Sequence, residues 1–211
     1  MKKIVSVIIV AVVLISALSV VSCVKEGGMF TLTSSEFVAQ GIIPDMYTLA
    51  LGKNISPPFS WCNIPEGTKS FAFTIVDPDV PWGKYGNPPA GFLPGDLFIH
   101  WVVYDIPAEV TSFGEGISPK GTLPEGAKEL NNSCLEEFGP ESPYYKFRSG
   151  YIGMGPPTGD IAHGYVFTLY ALNTETLELS PEARYPDFID AIKGKVLARS
   201  SFIAYFGVKK K

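Results

Sequence analysis

The chain has 211 residues, of which 46% are hydrophobic and 18% charged, with 17 Lys and Arg against 21 Asp and Glu for a net charge of −4. That balance argues against nucleic acid as a partner, because affinity for it rests on Lys and Arg set against phosphates. The length leaves room for one domain with a sizeable core.

The chain opens with Lys2 and Lys3, then an uncharged apolar run over residues 4–22, then Cys23. This is the pattern of a secretory signal. Val20, Val21, Ser22 and Cys23 also resemble the lipobox of prokaryotic lipoproteins, which implies cleavage before Cys23 and a lipid on that residue. An uncleaved anchor, for which the run is just long enough, and plain secretion are the other readings. All three place the folded part outside the cytoplasm, since the basic end stays inside. Residues 23–28 then form a tether, residues 29–208 a single domain, and residues 209–211 a basic tail. Of the three cysteines, Cys62 and Cys134 are able to pair in an oxidising compartment; the alternative is two unpaired buried thiols. Their spacing fits no CxxC metal site.

Residues 30–37 alternate apolar and polar side chains and predict a half-exposed strand. Residues 42–47 read as a loop, and Pro57 and Pro58 exclude helix beyond it. Residues 71–76 (FAFTIV) predict a short buried strand that ends at Asp77, Pro78 and Asp79. Residues 82–96 are dense in Gly and Pro and predict a long surface loop, of the kind that is often functional. A second buried strand, residues 97–106, carries His100. Residues 111–149 read as loop, with a weak helical signal at 126–129.

The run 151–172 (YIGMGPPTGDIAHGYVFTLYAL) joins a Gly/Pro loop to a strand that is apolar on both faces. His163, Tyr165, Phe167 and Leu169 share one side of it, as in a central strand covered twice. Residues 173–180 predict a turn and a short helix. Residues 186–199 predict an amphipathic helix, with Phe188, Ile189, Ile192 and Val196 on one face and Lys193, Lys195 and Arg199 near its end. Residues 201–208 predict a last strand. The class is mainly β, an antiparallel sheet system with one or two peripheral helices.

Polar groups interrupt the apolar strands at three points: Asp77 with Asp79, His100, and His163 with Tyr165. An unpaired buried polar group costs roughly 1–3 kcal/mol, so each must find a partner. One reading is a carboxylate–histidine bond that merely satisfies the core; the other is the floor of a pocket beside Pro/Gly loops, whose backbone N–H groups can form anion-binding concavities.

Residues 77–81 (DPDVP), His100 followed by Trp101, the 151–172 run, residues 55–61 (ISPPFSW) and residues 65–73 (PEGTKSFAF) together resemble the phosphatidylethanolamine-binding protein family. The similarity is greatest to its prokaryotic, Raf-kinase-inhibitor-like branch and extends from about Phe30 to Gly207. It implies a β-fold with a small pocket for phosphate or a phospholipid head group. It also implies pocket positions at Asp77, Pro81, His100, Gly155, Pro157, His163 and Tyr165, with Asp79 in the same motif. By residue type, both histidines can donate a ring N–H to an anionic oxygen, Tyr165 its hydroxyl, and Gly155 allows close backbone approach. The chain departs from the family at Gly164, where many members have arginine, and at Ile161, where glycine is usual.

The expected function is therefore an extracytoplasmic, membrane-anchored binding protein for a small anion, with no catalytic role, no cofactor and no metal, and with a protein partner unspecified. The competing readings are a serine protease inhibitor acting through residues 82–96, and a hydrolase using His100, His163 and Asp77 as metal ligands or acid/base groups.

Overall fold

The structure, a computed structural model, describes residues 28–80 and 97–210. The signal run, Cys23, most of the tether, Pro81 and the 82–96 loop lie outside the described residues.

Two sheets stack around an aromatic core. The smaller has the order β1 (Thr31–Thr33), β2 (Phe59–Cys62), β5 (Ser112–Phe113). The larger has the order β6 (Lys128–Glu129), β4 (Phe98–Pro107), β3 (Ser70–Asp77), β7 (His163–Leu172), β8 (Val196–Phe206). Every pairing between these strands is antiparallel. β3 is central and buried along its whole length. Phe71, Phe73 and Ile75 join the inter-sheet core, where Phe59 meets Phe73 at a ring separation of 4.8 Å and Trp101 meets Phe73 at 5.5 Å. Ala72 and Val76 face the other way, onto a second cluster that includes Phe188 and Ile192 of helix α2 (Tyr185–Ile192). A strand covered twice has no polar face to show, which is why it reads as an unbroken apolar run.

The helix expected over residues 186–199 ends early, spanning Tyr185–Ile192. Gly194 takes φ +73° after the last turn, a left-handed conformation that ends helices and suits glycine. The chain then turns back as β8, pairing with β7 from Leu172–Val196 to His163–Phe206. Sheet pairing outweighs the local helical pattern there, and Val196, Lys195 and Arg199 do not belong to the helix. The helical signal at 126–129 is likewise overridden: Lys128 and Glu129 pair with Tyr104 and Val103. Residues 173–180 contain no helix; Leu177 is buried and donates its backbone N–H to Asp105 Oδ1 at 2.8 Å. A short helix, α1 (Cys134–Glu137), forms inside the stretch expected to be loop.

The possible Cys62–Cys134 bridge is not formed. Cys62 ends β2 in the small sheet, whereas Cys134 is a free, buried thiol. Cys134 opens α1 beside the start of β4 in the other sheet, where its backbone N–H is held by Asn132 Oδ1 at 2.9 Å.

Candidate functional site

β3, β4 and β7 lie side by side, and their polar residues meet at one end of the large sheet. There a cavity of about 390 Å³ opens, lined by Asp77, His100, His163, Tyr165, Gly155 and Pro157, together with Leu49, Val80, Phe98, Cys134, Phe138, Tyr144, Ile152, Gly153, Pro156 and Asp160. The two imidazoles share it. The His100 ring lies 5.2 Å from that of Tyr165, edge-on, and His163 stacks 6.3 Å from the same ring.

His163 Nδ1 lies 2.7 Å from Asp77 Oδ2 with both side chains 2% exposed. Burial by itself lowers the pKa of His163, but the bond to Asp77, the charge of Asp77 and that of Asp160 outweigh it, and the net shift is upward. The proton that Asp77 holds on Nδ1 leaves Nε2 facing the cavity, where it is buried with no hydrogen-bond partner. The Tyr165 hydroxyl is also buried and unpartnered, and burial followed by the nearby Asp77 charge pushes its pKa upward.

His100 is set differently. Its Nδ1 lies 2.8 Å from the carbonyl oxygen of Ile152, a group that only accepts, so Nδ1 carries the proton. Burial lowers its pKa, and the ring is neutral at physiological pH. A neutral ring protonated on Nδ1 offers a lone pair at Nε2, so His100 accepts where the sequence suggested that it would donate.

The Gly/Pro loop is positioned by its own backbone. Ile152 N–H donates to the His100 carbonyl at 3.0 Å, and the Tyr151 hydroxyl donates to the Tyr47 carbonyl at 2.7 Å. Close approach is required at Gly153, where a Cβ would lie 2.4 Å from the Tyr47 carbonyl oxygen and 2.6 Å from the Leu49 nitrogen. It is not required at Gly155, where a Cβ would meet nothing nearer than Leu49 Cβ at 3.9 Å.

Asp79 does not line the cavity. Its N–H donates to Asp77 Oδ1 at 2.8 Å and its Oδ2 accepts the Gly164 N–H at 2.7 Å, tying the end of β3 to the start of β7. Pro81 lies outside the described residues. Sequence reasoning missed Asp160, although it stands in the quoted loop, and missed the aromatic wall of Phe98, Phe138 and Tyr144; nothing local marks residues that reach the cavity from separate segments.

The fold and cavity describe an antiparallel β-protein with a recess floored by polar groups and walled by aromatic ones. The sequence profile described as phosphatidylethanolamine-binding protein matches residues 33–207. A UPF0098 protein of Aquifex aeolicus is 36% identical over 180 residues, covering 85% of this chain and 90% of that one. A UPF0098 protein of Methanothermobacter thermautotrophicus is 34% identical over 175 residues, covering 83% and 97%. Among solved structures, YbcL of Escherichia coli, described as a new member of the mammalian PEBP family, superposes with a TM-score of 0.66 at 28% identity, covering 85% of this chain and 99% of that one. The chain belongs to the phosphatidylethanolamine-binding protein family, in the prokaryotic branch that includes YbcL. Membership makes it a ligand-binding protein and not an enzyme. Among the described residues no group of three His, Cys, Asp or Glu could hold a metal ion.

Proposed function

We propose that the protein holds a small anionic group, a phosphate or a phosphorylated head group, in the cavity between β3, β4 and β7. The observation that carries this reading is the pair of buried polar atoms without hydrogen-bond partners, His163 Nε2 and the Tyr165 hydroxyl, at one cavity. Each unpaired buried polar group costs roughly 1–3 kcal/mol, and an anionic oxygen between them recovers both. The bond to Asp77 and the charges of Asp77 and Asp160 favour the charged form of His163, in which Nε2 donates. Phe98, Phe138 and Tyr144 give the rest of a ligand an apolar surface.

The test is thermal denaturation of the purified full-length protein with millimolar glycerophosphoethanolamine or inorganic phosphate. The melting temperature should rise for the native protein and stay unmoved for His163→Ala, with Tyr165→Phe intermediate. No shift in the native protein with either compound overturns the reading.

The proposed setting is extracytoplasmic and membrane-anchored, through a lipid on Cys23. The basic start, apolar run and lipobox-like ending of residues 1–23 support it. No helix among the described residues is long and apolar enough to cross a membrane. Mass spectrometry of the membrane fraction should find an acylated N-terminal Cys23; a Cys23 recovered in a disulfide, or a soluble protein without acyl mass, overturns the lipid assignment, since one sulfur cannot carry both.

A further inference from the structure

Resting on the anion-binding reading, we propose that Asp160 makes the cavity selective for the charge state of its ligand, favouring a phosphodiester with one negative charge over a phosphomonoester dianion. Asp160 Oδ2 lies 3.6 Å from His163 Nε2, the same ring atom that faces the cavity without a hydrogen-bond partner, and the Asp160 side chain is 3% exposed. Its place is built into the loop. Asp160 N–H donates to the Pro157 carbonyl at 3.1 Å, Gly159 N–H donates to the Val208 carbonyl at 2.7 Å, and Asp160 Oδ1 accepts the Ile161 N–H at 2.7 Å. The carboxylate therefore stands beside whatever oxygen His163 receives.

Among the described lining residues the carboxylates of Asp77 and Asp160 flank His163 and favour its charged form, in which Nε2 donates. His100 adds a lone pair and no charge, and among the described residues no Lys or Arg lines the cavity. A ligand oxygen gains two direct hydrogen bonds, from His163 and Tyr165, and these hold one negative charge. Among the described residues a second negative charge meets no Lys or Arg, and Asp160 repels it in a buried site where charges are weakly screened.

The experiment is calorimetric titration with phenyl phosphate and with methyl phenyl phosphate at about pH 8, where the monoester is a dianion because its second pKa is roughly 6. The full-length native protein should bind the diester about tenfold tighter, a gap well within a single screened charge interaction. Asp160→Asn, which keeps the acceptor for Ile161, should narrow the gap to about threefold or less, mainly by tightening the monoester. Asp160→Ser should act in the same direction, so the outcome does not hang on one variant folding. An equal preference in the native protein, or an unchanged ratio in both variants, overturns the selectivity and leaves the anion site standing. If the native protein binds neither ester, nor the compounds of the thermal test, both fall.

Dihexanoyl phosphatidylglycerol and its deacylated glycerophosphoglycerol form further arms. Tighter binding of the first assigns the diester to a lipid, and equal binding to a water-soluble source. Binding of both more weakly than phenyl phosphate overturns the proposal.

Discussion

His163 donates its Nδ1 proton to Asp77 across the neighbouring strands β7 and β3, 2.7 Å apart and both shielded from solvent. That one bond fixes which ring nitrogen faces the cavity and which charge state it holds. In NMR titration His163 should titrate above the ordinary value of 6.5 and His100 below it. Asp77→Asn should lower His163, because burial, the largest influence on the ring, then meets less opposition. The stability that His163 adds is complete below its unfolded pKa of about 6.5 and is lost as pH rises through the raised folded value. His100 runs oppositely: its contribution is complete above about 6.5 and is lost as pH falls through its lowered folded value. Urea midpoints from about pH 5 to 9 should therefore show less alkaline loss in Asp77→Asn than in the native protein, with the acid loss kept. A His163 pKa that ignores the substitution contradicts this account.

Gly153→Ala tests whether the Gly/Pro loop is pinned by backbone contact. The added methyl would press on the Tyr47 carbonyl and the Leu49 nitrogen, neither of which can swing aside. Overpacking of this kind costs about 1–3 kcal/mol, readable as a drop in denaturation midpoint. Gly155→Ala, with only Leu49 Cβ at 3.9 Å, should be nearly silent by the same measure.

Gly194→Ala separates backbone strain from packing at the α2–β8 turn. A Cβ there meets nothing within 4 Å, yet φ is +73°. The expected loss is about 1–2 kcal/mol from the left-handed conformation alone. Gly194→Asn, which tolerates that region better, should recover part of it; equal losses for the two variants would point to some other cause.

Cys134 borders the cavity but should be chemically quiet. Burial, and then the charge of Glu137, push its thiol up to about 12. Thiolate is the reactive form, so alkylation of the native protein near pH 8 should be on the order of a thousandfold slower than for an ordinary thiol with a pKa of about 8.5. Peptide mapping after denaturation should then find Cys134 fully labelled. Rapid labelling without denaturant would show that α1 opens.

Much of the fold was legible because a strand buried on both faces announces itself. Residues 71–76, 97–106 and 163–172 are apolar runs with few alternatives, and β3, β4 and β7 fall on them within a residue or two. The polar interruptions at Asp77, His100 and His163 were conspicuous for the same reason. Asp79, Asp160 and Gly153 were not assignable in this way: Asp79 bonds backbone across to β7, Asp160 enters the cavity from a loop, and Gly153 is constrained by a segment a hundred positions away.

The amino-acid order alone determined the β class, the positions of the three inner strands and the chemical identity of the groups at their ends, since burial writes apolar runs directly into a chain. The length of α2, the reversal into β8, the unpaired state of Cys134 and the opposite protonation of the two histidines were decided in three dimensions. Those features depend on partners brought together by folding: a neighbouring strand, the Ile152 carbonyl, the Asp77 carboxylate. Local pattern carries no record of them.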